Sequence, residues 1–195
     1  GEADLAINNL DEAKNKLISF DFAGAQAGFS EANKNFISAE NQLKGIKSFL
    51  TFLAESVPTS NSYKSGVNLI ELGENLSSAG EILMAGANIL SLSGDENGWL
   101  NKIKAMQSVL DKALPEIIAA KDNADKVDLK HLPSDKREAF NSIKKALPIF
   151  VSSLKQSKEI SNFALAALAD NSLKRYLVVF QNDNELRATG GFIGS

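Results

Sequence analysis

Few side chains in this chain have the type and spacing to do chemistry. Arg187, three residues before the pair Gly190-Gly191, carries a guanidinium suited to gripping an anion through two parallel N–H donors. A salt bridge to Glu185 or Asp183 accounts for the same residue without any ligand. His131 is the single histidine, and one imidazole in the stretch Lys130-His131-Leu132-Pro133 does not make a metal site. Aspartates and glutamates are scattered along polar stretches without the HExxH or paired ExxH spacing of metal-binding bundles. The run Gly190 to Gly194 lacks the Lys-Ser/Thr of a phosphate loop and reads as a turn or bulge between strands. With no cysteine there is no disulfide, thiolate ligand or thiol nucleophile. No catalytic or metal-ligating residue is assigned on this basis, and no cofactor is expected.

Composition narrows the partners. A formal charge of -3 supplies no basic field for a phosphate backbone, so nucleic acid is not an expected partner. At 44% hydrophobic and 23% charged residues the chain is too apolar for intrinsic disorder. Its 195 residues suffice for one sizeable core. No stretch reaches the roughly 18 to 20 apolar residues of a membrane-spanning helix. Because the chain starts at Gly1 and not at Met, a membrane anchor upstream is compatible with it, and any membrane contact is expected only through such an anchor.

The elements that would position these residues are mostly helices. Residues 2–19 carry Ala3, Ile7, Leu10 and Leu17 at helical spacing, with Asp4, Glu12 and Lys16 toward water. Asp21 stands where an N-cap belongs. Beyond it Phe22, Phe29, Phe36, Leu43 and Leu50 recur every seven residues, with Ala25, Ala32, Ala39, Ile46 and Leu53 three residues after each, until Val57-Pro58 stops the helix. Large rings alternating with alanine predict a buried seam. A third helix repeats the spacing through Leu69, Leu72, Leu76, Ala79, Leu83, Gly86 and Leu90. Beside that seam Gly66, Gly73 and Gly80 recur seven apart, which predicts close approach of another helix.

After a connection at Ser91 to Gly98, the fourth helix places Ile103, Met106, Leu110, Ala113, Ile117, Ala120, Ala124 and Val127 on one seam, in phase through Pro115. Asp128 to Pro133 forms the next connection, and Ser134 with Asp135 is expected to cap a fifth helix. That helix has Phe140, Ile143, Leu147, Phe150, Leu154, Ala164 and Leu168 as its seam and Pro148 within it. Lys112-Ala113-Leu114-Pro115 recurs verbatim as Lys145-Ala146-Leu147-Pro148, so both late helices are expected to kink at proline. The fold class is therefore all-α, an elongated antiparallel bundle of about five helices over residues 1–172.

Residues 173–195 differ in kind. Tyr176 to Phe180 is β-branched and aromatic on both faces, as in a strand buried between layers, and Phe192-Ile193 reads as the start of a second strand. A lone strand leaves its backbone groups unpaired, so its sheet is expected to be completed by residues following Ser195 or by a neighbouring subunit. The stretch RYLVVFQNDNELRATGGFIGS, Arg175 to Ser195, resembles the opening motif of the bacterial proteins grouped as domain of unknown function 4012, in which a buried strand is followed by QN, ELR and TGGFIGS. The positions that carry the resemblance are Gln181, Asn182, Glu185, Arg187, Thr189, Gly190 and Gly191; Asp183-Asn184 departs from the small residue more usual before the glutamate.

The resemblance implies a helical leader that follows a membrane anchor and precedes a mixed α/β domain. It implies an extracytoplasmic protein linked to the cell envelope or to surface polysaccharide, with cell-wall or polysaccharide components as partners. It brings no catalytic residue. Three functions follow as expectations: a soluble, non-catalytic stalk that holds a second domain away from the membrane; part of an envelope phosphotransferase-like enzyme with Arg187 on a lipid-linked pyrophosphate; and a subunit that donates its strand to a neighbour.

Overall fold

The computed structural model describes residues 1–54, 61–92, 98–132, 134–168, 180–182 and 192–194. Five helices make up nearly all of it: α1 (Glu2–Ile18), α2 (Phe22–Ala54), α3 (Asn61–Leu92), α4 (Gly98–Lys126) and α5 (Arg137–Leu168). The fold is an all-helical bundle. The expected stop at Val57-Pro58 and the connection around Ser93-Gly94-Asp95 lie outside the described residues.

Asp21 starts α2 as its sequence position predicts. Its Oδ1 accepts a hydrogen bond from the Gly24 N–H at 2.8 Å, satisfying one of the free amides of the first turn. The same residue closes α1, since its own N–H donates to the Lys16 carbonyl while the Phe20 N–H donates to Leu17. This paired arrangement needs a left-handed residue between helix end and cap, usually glycine. Here it is Phe20, with φ at 58°, and its ring stands edge-on to Phe22 at 6.3 Å.

The helices form a row. Each packs on its neighbours in sequence, α1 on α2, α2 on α3, α3 on α4 and α4 on α5; among the described residues no comparable packing joins α5 back to α1 or α2. Neighbours run antiparallel, because contacts climb one helix while descending the next. In α2 and α3, Phe36 meets Gly73 and Phe29 meets Gly80. In α3 and α4, Asn123 reaches Asn75, and just past the end of α4 the Asp128 N–H reaches Ser65. In α4 and α5, Asp125 pairs with Lys144 and Asp111 with Lys158.

Central position explains why α3 is nearly uniform around its circumference: among its described side chains only Lys64, Ile89 and Ser91 are exposed. It is flanked by two cores. Ala6, Ala32 and Phe36 cluster with Leu10 and Ile70 on the α1–α2 side. The larger cluster joins Leu72 and Ala79 of α3 to Leu110, Ile117 and Ala120 of α4 and to Leu147 and Leu154 of α5.

Over residues 22–43 the heptad seam of α2 is the contact predicted for it: Ala25, Ala32, Phe36 and Ala39 are buried and Phe22, Phe29 and Leu43 partly so, while the side chains of Ile46, Leu50 and Leu53 lie outside the description. A Cβ on Gly73 would fall inside van der Waals contact of the Phe36 ring, and one on Gly80 would lie 2.5 Å from Phe29 Cδ1. Gly66, third in the register, faces open space. We therefore expect opposite results from one substitution at two positions of one helix. Gly66→Ala should raise the unfolding free energy by up to about 1 kcal/mol through helix propensity. Gly80→Ala should lower it by about 1 to 3 kcal/mol through overpacking against Phe29. Urea titrations of the two variants check this.

Several seam assignments need correction. In α1 the buried residues are Ala6 and Ala13, whereas Ile7 is 58% exposed and Leu17 lies at the margin. The helix docks through alanines, which allow the α2 backbone close: a Cβ on Gly28 would lie 2.9 Å from Ala13 Cβ. In α4 and α5, Met106, Ile143 and Phe150 are about 40% exposed where burial was expected. An edge helix has one neighbour, so a stripe as wide as that of α5 is only half covered.

Pro115 and Pro148 lie inside continuous helices, so the rods pass through them. The KALP repeat is not a structural repeat. Ala113 is buried in the first copy and Ala146 exposed in the second, where Leu147 is the core residue.

Ser134 and Asp135 do not cap α5 directly. They belong to a short 3-10 turn, Ser134–Lys136, that leads into it. The turn before it, Leu129–His131, is capped by Asp128, whose carboxylate accepts from the Lys130 N–H at 2.9 Å. Arg137 holds the connection closed, its Nε donating to the Leu132 carbonyl at 3.0 Å.

Two strands of three residues, β1 (Phe180–Asn182) and β2 (Phe192–Gly194), pair antiparallel with Gln181 opposite Ile193. The expected buried run at 175–179 lies outside the described residues.

Candidate functional site

The residues singled out for chemistry do not converge on one described site. Gln181 and Asn182 fall in β1, whereas Glu185, Arg187, Thr189, Gly190 and Gly191 lie outside the described residues. His131 sits in the 3-10 turn with its Nε2 3.7 Å from Asp128 Oδ2. No group of three or more His, Asp or Glu side chains among the described residues is placed to hold a metal ion. Among them, too, no helix is long and apolar enough to cross a membrane.

A polar band that the sequence did not announce crosses the middle of the row. Asn75 of α3 donates through Nδ2 to Glu116 Oε2 of α4 at 3.1 Å and accepts from Asn123 Nδ2 at 3.2 Å. Lys126 Nζ completes the relay to Asn123 Oδ1 at 3.4 Å. Asn123 is buried, so its amide must find partners, and Asn75 fixes the sliding register of α3 on α4 by providing one. On the α2 side Lys44 Nζ pairs with Glu40 at 2.6 Å. Only one sequence signal pointed here: Asn123 adjoins the apolar seam residue Ala124.

Glu74 of α3 carries the strain of this band. Burial pushes its carboxyl above the ordinary glutamate value of 4.5, and the negative charges of Glu40, Glu71 and Glu116 push the same way against the opposing pull of Lys44. A carboxyl that holds its proton more tightly when folded disfavours the folded state once it ionises. Its cost is absent below pH 4.5 and grows as pH rises through the folded value. Glu74→Gln should therefore be the more stable protein at neutral pH, with the gain vanishing on acidification below the ordinary glutamate range.

Asp21 titrates with the opposite sign, held low first by the Gly24 N–H and then by Lys16. Its contribution is complete above the ordinary aspartate value of 3.8 and fades as pH falls through the folded value. Asp21→Asn keeps the cap acceptor and should remove that part of the acid sensitivity. Thermal midpoints measured from pH 3 to 8 on both variants separate the two effects.

At the far end of α3, an open groove of about 200 Å³ is lined by Leu83, Gly86, Leu90, Met106, Val109 and Leu110. Its walls are apolar and Ser157 is the one hydroxyl on its rim. What its described lining offers is apolar contact. The band, for its part, joins α3 to α4 through two bonds, Asn75 to Glu116 and Asn123 to Asn75, an arrangement that fixes register, while Lys44 and Lys126 bond within their own helices.

Fold and side-chain geometry thus define the class as an all-helical bundle, built as an open antiparallel row. Compared with family models, curated proteins and solved structures, the chain finds no match.

Proposed function

We propose that residues 1–172 are a non-catalytic helical stalk in an anchored bacterial cell-envelope protein, and that residues 173–195 open a second, sheet-containing domain. The observation that carries this reading is the row itself. Helices α2 to α5 have 29 to 33 residues each, which at 1.5 Å per residue makes rods of roughly 45 to 50 Å. Their buried contacts are alanines, rings on glycine and leucines, so the sequence is spent on length and close packing. Among the described residues past α5 the backbone pairs as β1 and β2. Two strands of three residues are marginal alone, which favours further strands as their partners.

The resemblance of Arg175 to Ser195 to domain of unknown function 4012 adds the envelope setting, the upstream anchor, and cell-wall or surface-polysaccharide components as partners. Cell fractionation with protease added from outside tests the reading. The full-length protein should sediment with membranes and lose its helical region to external protease. A soluble protein protected inside intact cells would contradict it.

A further inference from the structure

Among the described residues, the outer face of α5 carries a second seam that meets no other helix of the row. Ala146, Ile149, Ser153, Gln156, Ile160 and Phe163 follow one another at alternating spacings of three and four, the a and d positions of a heptad. All six are exposed, with Ile149 and Ile160 at 69% and Phe163 at 75%. The inner seam that meets α4 is a different set, Phe140, Leu147, Leu154 and Ser161. Three large apolar residues in a heptad stripe on the water side are not required by the fold of one chain.

We propose that this stripe is the interface of a dimer, in which α5 lies antiparallel on α5 of a second copy, about a two-fold axis between Leu154 and Lys155. The stripe is self-complementary about that point. Ile149 meets the second copy's Ile160, Ser153 meets its Gln156, and Phe163 meets its Ala146. Each layer joins an a to a d position, as antiparallel helix pairs do. Phe163 over Ala146 repeats between chains the ring-on-small-residue packing that Phe36 and Gly73 make within one.

Charge fits the same axis. Lys144 and Lys158 are already paired with Asp125 and Asp111 of α4. Lys145 and Glu159 remain on one flank of the stripe, fourteen residues apart. The two-fold brings the half of α5 bearing Lys145 beside the half bearing Glu159, twice per dimer. A parallel pairing would set the Lys145 flank against the second copy's Ile143 and Phe150, away from Glu159. Because the contact is the same patch on both copies, it closes at two chains and does not propagate. Ile143 and Phe150, half-exposed beside the stripe, would be covered with it.

Light scattering on the whole chain from low to high micromolar concentration tests the dimer. The wild type should dimerise, and Ile149→Glu with Ile160→Glu should be monomeric with unchanged helical circular dichroism. A wild type that stays monomeric throughout, as it would if the chain's own tail or a membrane covered the stripe, overturns the proposal, as does a dimer that survives both substitutions. The absence of cysteine permits a test of direction. Ser153→Cys should crosslink through a short bis-thiol reagent, because the two positions lie about 4.5 Å apart along the axis at 1.5 Å per residue. Ala146→Cys, about 25 Å from its copy on the same rise, should not. Equal crosslinking at both positions would mean a parallel pair and would overturn the stated geometry.

Discussion

Phe36→Ala is expected to lower the unfolding free energy by about 3 to 5 kcal/mol, the range for deleting a buried ring. Phe36 is 6% exposed and belongs to the α1–α2 core with Ala6, Ala32, Leu10 and Ile70. Across the interface its ring lies on Gly73, a residue with no side chain to move into the space left behind. Ala6 and Ala32 have no rotamers with which to fill it, so only Leu10 and Ile70 can shift toward the space. A site that collapses only in part keeps much of its cavity, which sets the loss within this range. Chemical denaturation followed by circular dichroism measures it. A loss below about 1 kcal/mol would mean that the ring does not hold α2 on α3.

Ile117→Ala should cost about 2 to 5 kcal/mol for the corresponding reason on the other side of α3. Ile117 is 1% exposed and sits in the core that joins α3, α4 and α5. On its own helix it is flanked by the buried alanines Ala113 and Ala120, so repacking would have to come from Leu110 or from the neighbouring helices. Ile7→Ala is the control. Helical spacing alone would make it comparable to Ile117, but at 58% exposure it should change stability by less than about 1 kcal/mol.

How far the sequence could be read depended on how many neighbours each helix has. In α2 the alternation of phenylalanine and alanine admits one arrangement, and the structure has it. The glycine column in α3 had physical content as well, since Gly73 and Gly80 take rings from α2. Gly66 shows the limit of that inference: its spacing matches the other two, yet open space faces it.

Edge helices were less legible. In α1, apolar residues occur on more than one side, and spacing does not say that the small ones, Ala6 and Ala13, are the ones that dock. In α5 the apolar residues form two stripes, and the expected seam mixed inward Leu147 and Leu154 with half-exposed Ile143 and Phe150. The polar band was hidden because Glu40, Glu74 and Glu116 come from three different helices. Their proximity is a property of the row and has no local signature. Phe20 was hidden for another reason, since only the backbone shows that it takes the left-handed position glycine usually fills.

The row depends on rings of α2 lying on glycines of α3, and a double-mutant cycle between Phe36 and Gly73 tests that dependence most directly. In the wild type Gly73→Ala should destabilise, because its methyl group meets the ring. In a Phe36→Ala background the same change should stabilise by up to about 1 kcal/mol, as the methyl enters vacated space and helix propensity alone remains. That reversal of sign is the predicted result; equal effects of Gly73→Ala in both backgrounds would contradict the ring-on-glycine packing that organises the bundle.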